Sequence, residues 1–198
     1  MENNNEGFDE KASLMLIAGM ISKAQNRFQE NGFLYLLWGW TILICSLFQF
    51  VLVHWGLLEH PERIWAVTWV VLIFQAIYLV RKKRRSKVRT YTGEIIGYVW
   101  LVFVICSMLC SFLISLNNAW QLMYPVLFVT YGIPTFLSGI IMRFRPLVVG
   151  AVACWVLSIV AAYCSLEYHL LLLSAAMIIA WIIPGYMMQA KFKSSINQ

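Results

Sequence analysis

Six stretches of this chain run apolar without a charged residue: Phe33–Val53, Ile64–Val80, Ile95–Leu116, Gln121–Met142, Leu147–Ser165 and Leu170–Ala190. Each is 17 to 22 residues long, and a helix rising 1.5 Å per residue needs about 20 to cross the hydrocarbon of a bilayer. The second stretch is the shortest and is extended back to Glu62, with Arg63 snorkelling outward along its aliphatic stem. The pattern predicts an all-α integral membrane bundle of six transmembrane helices, paired as three helical hairpins. Its spans are about 33–53, 62–80, 95–116, 121–142, 147–165 and 170–190.

The segment ahead of the first span follows a different pattern. Met1–Glu10 reads MENNNEGFDE, polar and acidic, with neither the basic start nor the apolar centre of a secretory signal. From Asp9, a suitable N-cap, apolar residues recur at helical spacing: Leu14, Ile17, Ile21, Ala24 and Phe28. Asn31-Gly32 is a helix stop. Residues 1–32 are therefore expected to be a cytoplasmic segment holding a short amphipathic helix. Its apolar stripe lies on the inner leaflet or packs on the bundle or a second copy. Residues 191–198 form a short tail.

Charge fixes the expected orientation. Of 15 Lys and Arg, 14 fall on one side of a six-span chain: Lys11, Lys23 and Arg27; then Arg81, Lys82, Lys83, Arg84, Arg85, Lys87 and Arg89; then Arg143, Arg145, Lys191 and Lys193. Arg63 alone falls on the other. Short cytoplasmic loops carry this excess, so both termini are expected in the cytoplasm. Trp55, Trp65 and Trp120 at the outer ends, with Trp38, Tyr78, Tyr98 and Tyr186 at the inner ends, fit interfacial belts. The seven basic residues between spans two and three are then a topogenic loop that also attracts anionic lipid headgroups. A short loop pinned to the bilayer at both ends cannot easily follow a nucleic-acid groove, and no nucleic acid is expected as a partner.

Composition sharpens this. The chain is 61% hydrophobic and 12% charged, where a soluble domain has about 45–50% and about 25%. Its net charge of +6 is clustered rather than spread over a face.

A worn repeat runs through the spans. Each odd span has an early glycine after two aliphatic or aromatic residues, at Gly39, Gly97 and Gly150. The fourth and sixth share an Ile-Pro, at Pro134 and Pro184, followed by a basic-Phe-basic triplet. Each proline removes a backbone hydrogen bond and should kink its helix. Ser107, Ser111 and Ser115 make a ridge of small side chains on the third span, and Thr130, Pro134 and Ser138 another on the fourth. Such ridges let helices approach closely, so spans three and four are expected to pack tightly.

Candidate chemistry is sparse. No Lys, Arg, Asp, Glu or His lies deep in a span, which argues against an ion-coupled pump. Gln49 and Gln75 are the strongest intramembrane polar groups, and each is expected to bond a neighbouring helix. The five cysteines, Cys45, Cys106, Cys110, Cys154 and Cys164, all lie in odd spans. Cys106 and Cys110 share a face without His or carboxylate at their depth, so they read as packing residues. His54, His60 and His169, with Glu59, Glu62 and Glu167, form an outer set of a kind that can ligate a metal or respond to pH. No HExxH-type spacing supports it, and no metal or cofactor is assigned. Nothing matches a P-loop, a GxSxG elbow or a nucleotide fingerprint.

The run ISKAQNRFQENGFLYLLWGW and the ending IIPGYMMQAKFK resemble the two ends of a family of small uncharacterised bacterial membrane proteins with six spans. The resemblance implies a bacterial cytoplasmic (inner) membrane protein, encoded in a setting where transcriptional regulators are frequent neighbours. It carries no catalytic or binding residues. Three function classes follow. The first is a non-enzymatic membrane component whose cytoplasmic face engages a protein partner or a second copy. The second is a small transporter or channel for a neutral or apolar solute. The third, an intramembrane enzyme, is disfavoured because no acid, base or nucleophile constellation is visible.

Overall fold

The computed structural model describes residues 32–56, 59–85 and 91–196, and all regular structure among them is helical. Helix α1 covers Gly32–His54. A 3-10 turn, Pro61–Trp65, leads into α2, Ala66–Arg85. Then come α3, Tyr91–Leu116, and α4, Met123–Ile141, entered through the 3-10 turn Trp120–Leu122. Helix α5 covers Arg145–Tyr163. The last span is composite: α6, Leu166–Met177, a π-helical segment, Ile178–Ile182, and α7, Ile183–Ile196.

Six helical stretches are long and apolar enough to cross a membrane: Gly32–His54, Pro61–Arg81, Gly93–Leu116, Trp120–Ile141, Arg145–Tyr163 and Leu166–Lys191. This is the architecture of a multi-pass membrane protein. It follows from the solvent: hydrocarbon offers no partner for N–H and C=O groups, so each span must satisfy its backbone internally as a helix. The expected amphipathic helix and its acidic leader, 1–31, lie outside the described residues, as do Lys87 and Arg89.

One boundary differs by four residues. The sixth span begins at Leu166 rather than Leu170, so Glu167 and His169 are helical. Ser165 stands extended at the N-cap position and Glu167 lies in the first turn, where a carboxylate complements the helix dipole. The charged residue that ended the apolar run is thus a helix-starting residue.

Turns at the two ends use the same closure with different residues. After α3, Asn118 sits at φ 52°, with Ala119 N–H donating to Ile114 O at 3.1 Å. After α4, Arg143 takes φ 53°, with Phe144 N–H donating to Gly139 O at 2.8 Å. Both recapture helix-terminal carbonyls. Asn adopts this left-handed conformation readily, whereas Arg does so rarely.

Packing sorts the helices into a core and a flank. Helices α4 and α5 lie antiparallel. A Cβ on Gly132 would meet Trp155 at 2.2 Å, and one on Gly139 would meet Val148 at 2.8 Å. Helix α1 runs antiparallel to the sixth span: Gly32 lies against Gly185 and Gly39 against Ile182, while Ser46 Oγ and Ser174 Oγ share a hydrogen bond of 2.8 Å. Helix α5 meets the same span from Gly150, against Ala180, to Ala161, against His169.

Helix α2 lies outside this core, and α3 borders it through Trp100 and Phe103. Trp38 Nε1 of α1 donates to Gln75 Oε1. Trp65 Nε1 donates to Gln49 Oε1 at 2.6 Å. Both glutamines thus bond the neighbouring helix, and the two bonds fasten α2 to α1. These contacts also set the ends of the bundle. Arg81, Arg143, Arg145 and Lys191 lie at one end; Glu59, His60, Arg63 and Glu167 lie at the other.

Candidate functional site

The π-helical segment Ile178–Ile182 turns Ala180, Trp181 and Ile182 into the core of the bundle and leaves Ile178 and Ile179 on its outside. Glycines from two helices make room for it. A Cβ on Gly150 would sit 2.6 Å from Ala180 Cα, and one on Gly39 would sit 2.8 Å from Ile182 Cγ1. Those are two of the three glycines in the sequence repeat. The third, Gly97, has nothing within 4 Å, so the repeat marks a shared packing role in only two of its units.

Trp181 projects from that segment into a cluster of rings. Its ring lies 5.3 Å from Tyr131, 5.6 Å from Trp100 and 6.3 Å from Tyr35, all near edge-to-face. Phe103 extends the cluster through Tyr131 and Trp100. Edge-to-face pairs at these separations add to packing beyond the area they bury. Trp181 Nε1 donates to Thr135 Oγ1 at 3.0 Å, and Thr135 Oγ1 donates on to Tyr131 O at 2.8 Å. The hydroxyls of Tyr35, Ser107 and Ser138 are buried, and that of Tyr35 faces Ser138 and Trp100. The centre offers phenols, indoles and hydroxyls, uncharged groups that donate and accept hydrogen bonds.

Pro134 and Pro184 are both fully buried. Pro134 lies inside α4, and Pro184 follows the π-helical segment directly. Ser138 is buried, Thr130, Ser107 and Ser111 are half-buried, and Ser115 is exposed. Ser111 Oγ is spent on Ser107 O at 2.8 Å. Helix α3 does touch α4, through Phe103 and Tyr131, but the closest approaches of α4 are made by its glycines to α5. A glycine brings backbones closer than a serine can, which is why the serine ridge does not mark the tightest contact.

At the basic end, α2 continues through Arg81, Lys82, Lys83, Arg84 and Arg85 as helix. Arg81 is exposed beside a shallow groove of ≈ 370 Å³ shared with Ala76, Ile77 and Val80. Arg143 and Arg145, both exposed, flank the buried Phe144.

The six outer residues do not come together. Among the described residues, no three of His, Cys, Asp and Glu are placed to hold a metal ion. His54 stacks on Phe50. His60 Nδ1 lies 3.0 Å from Glu62 Oε1. His169 is only 1% exposed, and its Nε2 lies 2.7 Å from Ala161 O, with Nδ1 buried and unpartnered. The helix begun at Leu166 turns this imidazole into the bundle, against Tyr124, rather than toward Glu167. Cys45 and Cys154 are buried and Cys110 is half-buried, whereas Cys106 is exposed and does not pack within the chain.

The glutamines stand out in the sequence as isolated polar groups, whereas their donors, Trp38 and Trp65, have the positions of interfacial belts. Tyr35, Trp100 and Trp181 form one cluster that the hydropathy pattern does not show. Their signal was present: aromatic residues with polar tips inside spans need partners. Comparison of the chain with family models, with curated proteins and with solved structures gave no match.

Proposed function

We propose that this chain is a non-enzymatic, multi-pass component of a bacterial cytoplasmic membrane, with both termini cytoplasmic. It works through contacts made at its basic end, with anionic headgroups and with a protein partner or second copy. The filled centre of the bundle supports this reading most. Trp181, Phe128, Leu147, Pro134 and Pro184 are each at most 2% exposed, so both proline-bearing helices spend their breaks on packing. The clustering of 14 of 15 basic residues on one side makes that end the chemically distinctive one.

Single-cysteine labelling with a membrane-impermeant maleimide, in a cysteine-free background, tests the orientation. Glu59→Cys and Asn118→Cys should react from outside intact cells and Ser86→Cys only after lysis. Reaction of Ser86→Cys from outside would remove the proposal. Lipid retention tests the rest: replacing Arg81, Lys82, Lys83, Arg84, Arg85, Lys87 and Arg89 with Gln should abolish enrichment of anionic over zwitterionic lipid around the purified protein.

Passage of a small neutral or apolar solute is the second reading, favoured by the π-helical segment abutting Pro184, since π segments recur at functional sites. Here Ser138→Cys decides. Labelling from the aqueous phase supports a path through the centre; full protection supports the filled bundle.

A further inference from the structure

Arg63 is the exception to the charge asymmetry of this chain, and the structure places it on the rim of a pocket. That pocket, ≈ 570 Å³, lies at the end of the bundle opposite the basic loop and opens on one side. Its volume falls within the roughly 300–1,000 Å³ typical of small-molecule sites. Leu52, buried, together with Ile64 and Phe48, supplies an apolar wall. Glu59, His60 and Arg63 supply the polar side. His60 is already engaged by Glu62 at 3.0 Å, which leaves Glu59 and Arg63 as the charges on the rim. No ion pair joins them: His60 pairs with Glu62, whose carboxylate also feels the Arg63 charge.

The pocket therefore offers an apolar wall reaching into the span, with one guanidinium and one carboxylate standing apart at its mouth. A guanidinium matches phosphate oxygens through paired N–H donors, and a carboxylate accepts from an ammonium group. The geometry points to a binding site for a zwitterionic glycerophospholipid: acyl chain along Phe48, Leu52 and Ile64, phosphate on Arg63, primary ammonium on Glu59. The site lies in the half of the membrane away from the basic loop and is distinct from the anionic-headgroup contacts proposed above. A pure anion would meet the repulsion of Glu59, and a neutral apolar solute would leave both charges unused.

Titration of the full chain in detergent, read by native mass spectrometry, tests this with four probes. They are dioctanoyl phosphatidylethanolamine, dioctanoyl phosphatidylcholine, dioctanoyl phosphatidylglycerol and octanoate. One equivalent of the phosphatidylethanolamine should bind about tenfold more tightly than the phosphatidylglycerol or octanoate, the effect expected when a charged hydrogen bond is gained. Phosphatidylcholine, whose quaternary nitrogen donates no hydrogen bond, should fall between. Arg63→Gln and Glu59→Gln should each weaken phosphatidylethanolamine binding about tenfold for the same reason. Both residues are exposed, so the variants should melt with the parent. Ile64→Trp should fill the pocket and abolish the bound equivalent. Equal binding of all four probes to the parent would show unselective lipid around the belt and overturn the site. Phosphatidylethanolamine binding lost in Arg63→Gln but intact in Glu59→Gln would overturn the ammonium contact and with it the zwitterionic head. Persistence in Ile64→Trp would move binding out of this pocket.

Discussion

The second and sixth spans are of similar apolar character, yet the structure uses them in opposite ways. Of the most apolar window in the sixth span, 56% is buried; of that in the second, none is. Helix α3, the most hydropathic of the six, is 6% buried over its window. In water such apolar helices would each be drawn to the core. In lipid, burial against protein gains no hydrophobic free energy, because acyl chains solvate Leu and Ile as well as another helix does. Apolarity therefore puts a helix into the membrane, while small residues, rings and polar pairs decide its place in the bundle. The sixth span has Ala176, Ala180, Gly185 and Trp181 for this; α2 has Gln75 and the preceding Trp65.

The sharpest test of this contrast is Trp181→Ala. It empties the centre of the ring cluster and strips Thr135 of its donor. Loss of a buried Trp costs about 3–5 kcal/mol in a water-soluble core; the cavity and the lost hydrogen bond are the parts that survive in lipid, and unfolding in mixed micelles should register them. A change below about 1 kcal/mol would mean the cluster is loosely packed.

The next largest effect belongs to the two glycines that sequence treats as equivalent. Gly150→Ala forces a methyl against Ala180 backbone and should destabilise by about 1–3 kcal/mol. Gly97→Ala meets open space and should stabilise α3 by up to about 1 kcal/mol, the helix-propensity difference. Melting the two variants side by side reads core against flank directly. Equal losses would erase the distinction.

Smaller still is the polar tether of α2. Gln75→Leu removes the acceptor for Trp38 and should cost about 0.6–2 kcal/mol, the range for hydrogen bonds between helices in membranes. A double-mutant cycle with Trp38→Phe should show coupling. Additive losses would mean that α2 is held by its apolar contacts instead.

Much of the fold was legible because charge interrupts hydropathy cleanly: Glu62, Arg81, Arg143 and Lys191 stand at or beside span ends. The arrangement of the helices was less so. A helix surrounded by lipid and protein is apolar all round, so its periodicity does not say which face meets which. Ser107, Ser111 and Ser115 suggested a face by size alone, and Gly132 and Gly139 on the next helix made a closer one. His169 was read as a loop residue because Glu167 breaks the apolar run, although Ser165 before it is a serviceable helix start. The π-helical segment had no sequence signal beyond Pro184, whose missing donor loosens the preceding turn. Of the candidate sites, the glutamines were visible as isolated polar groups. The pocket beside Arg63 was not, because it is assembled from α1 and the turn before α2.

The two bonds between α1 and α2 have a consequence for how the chain is threaded. Helix α1 supplies Trp38 and Gln49, and α2 with the turn before it supplies Trp65 and Gln75; the donor precedes the acceptor along each, so the antiparallel axes set every donor against the other's acceptor. Trp38 and Gln49 stand eleven residues apart on one side, Trp65 and Gln75 ten apart on the other. At 1.5 Å per residue these are spans of about 16 Å and about 15 Å, near enough to close both bonds at once. Sliding α2 by a single residue, or turning it by 100°, would break the pair together and strand four polar groups in hydrocarbon. Apolar contacts tolerate such slippage; this pair does not. The docking of α2 therefore has one register, set by matched spacing rather than by shape.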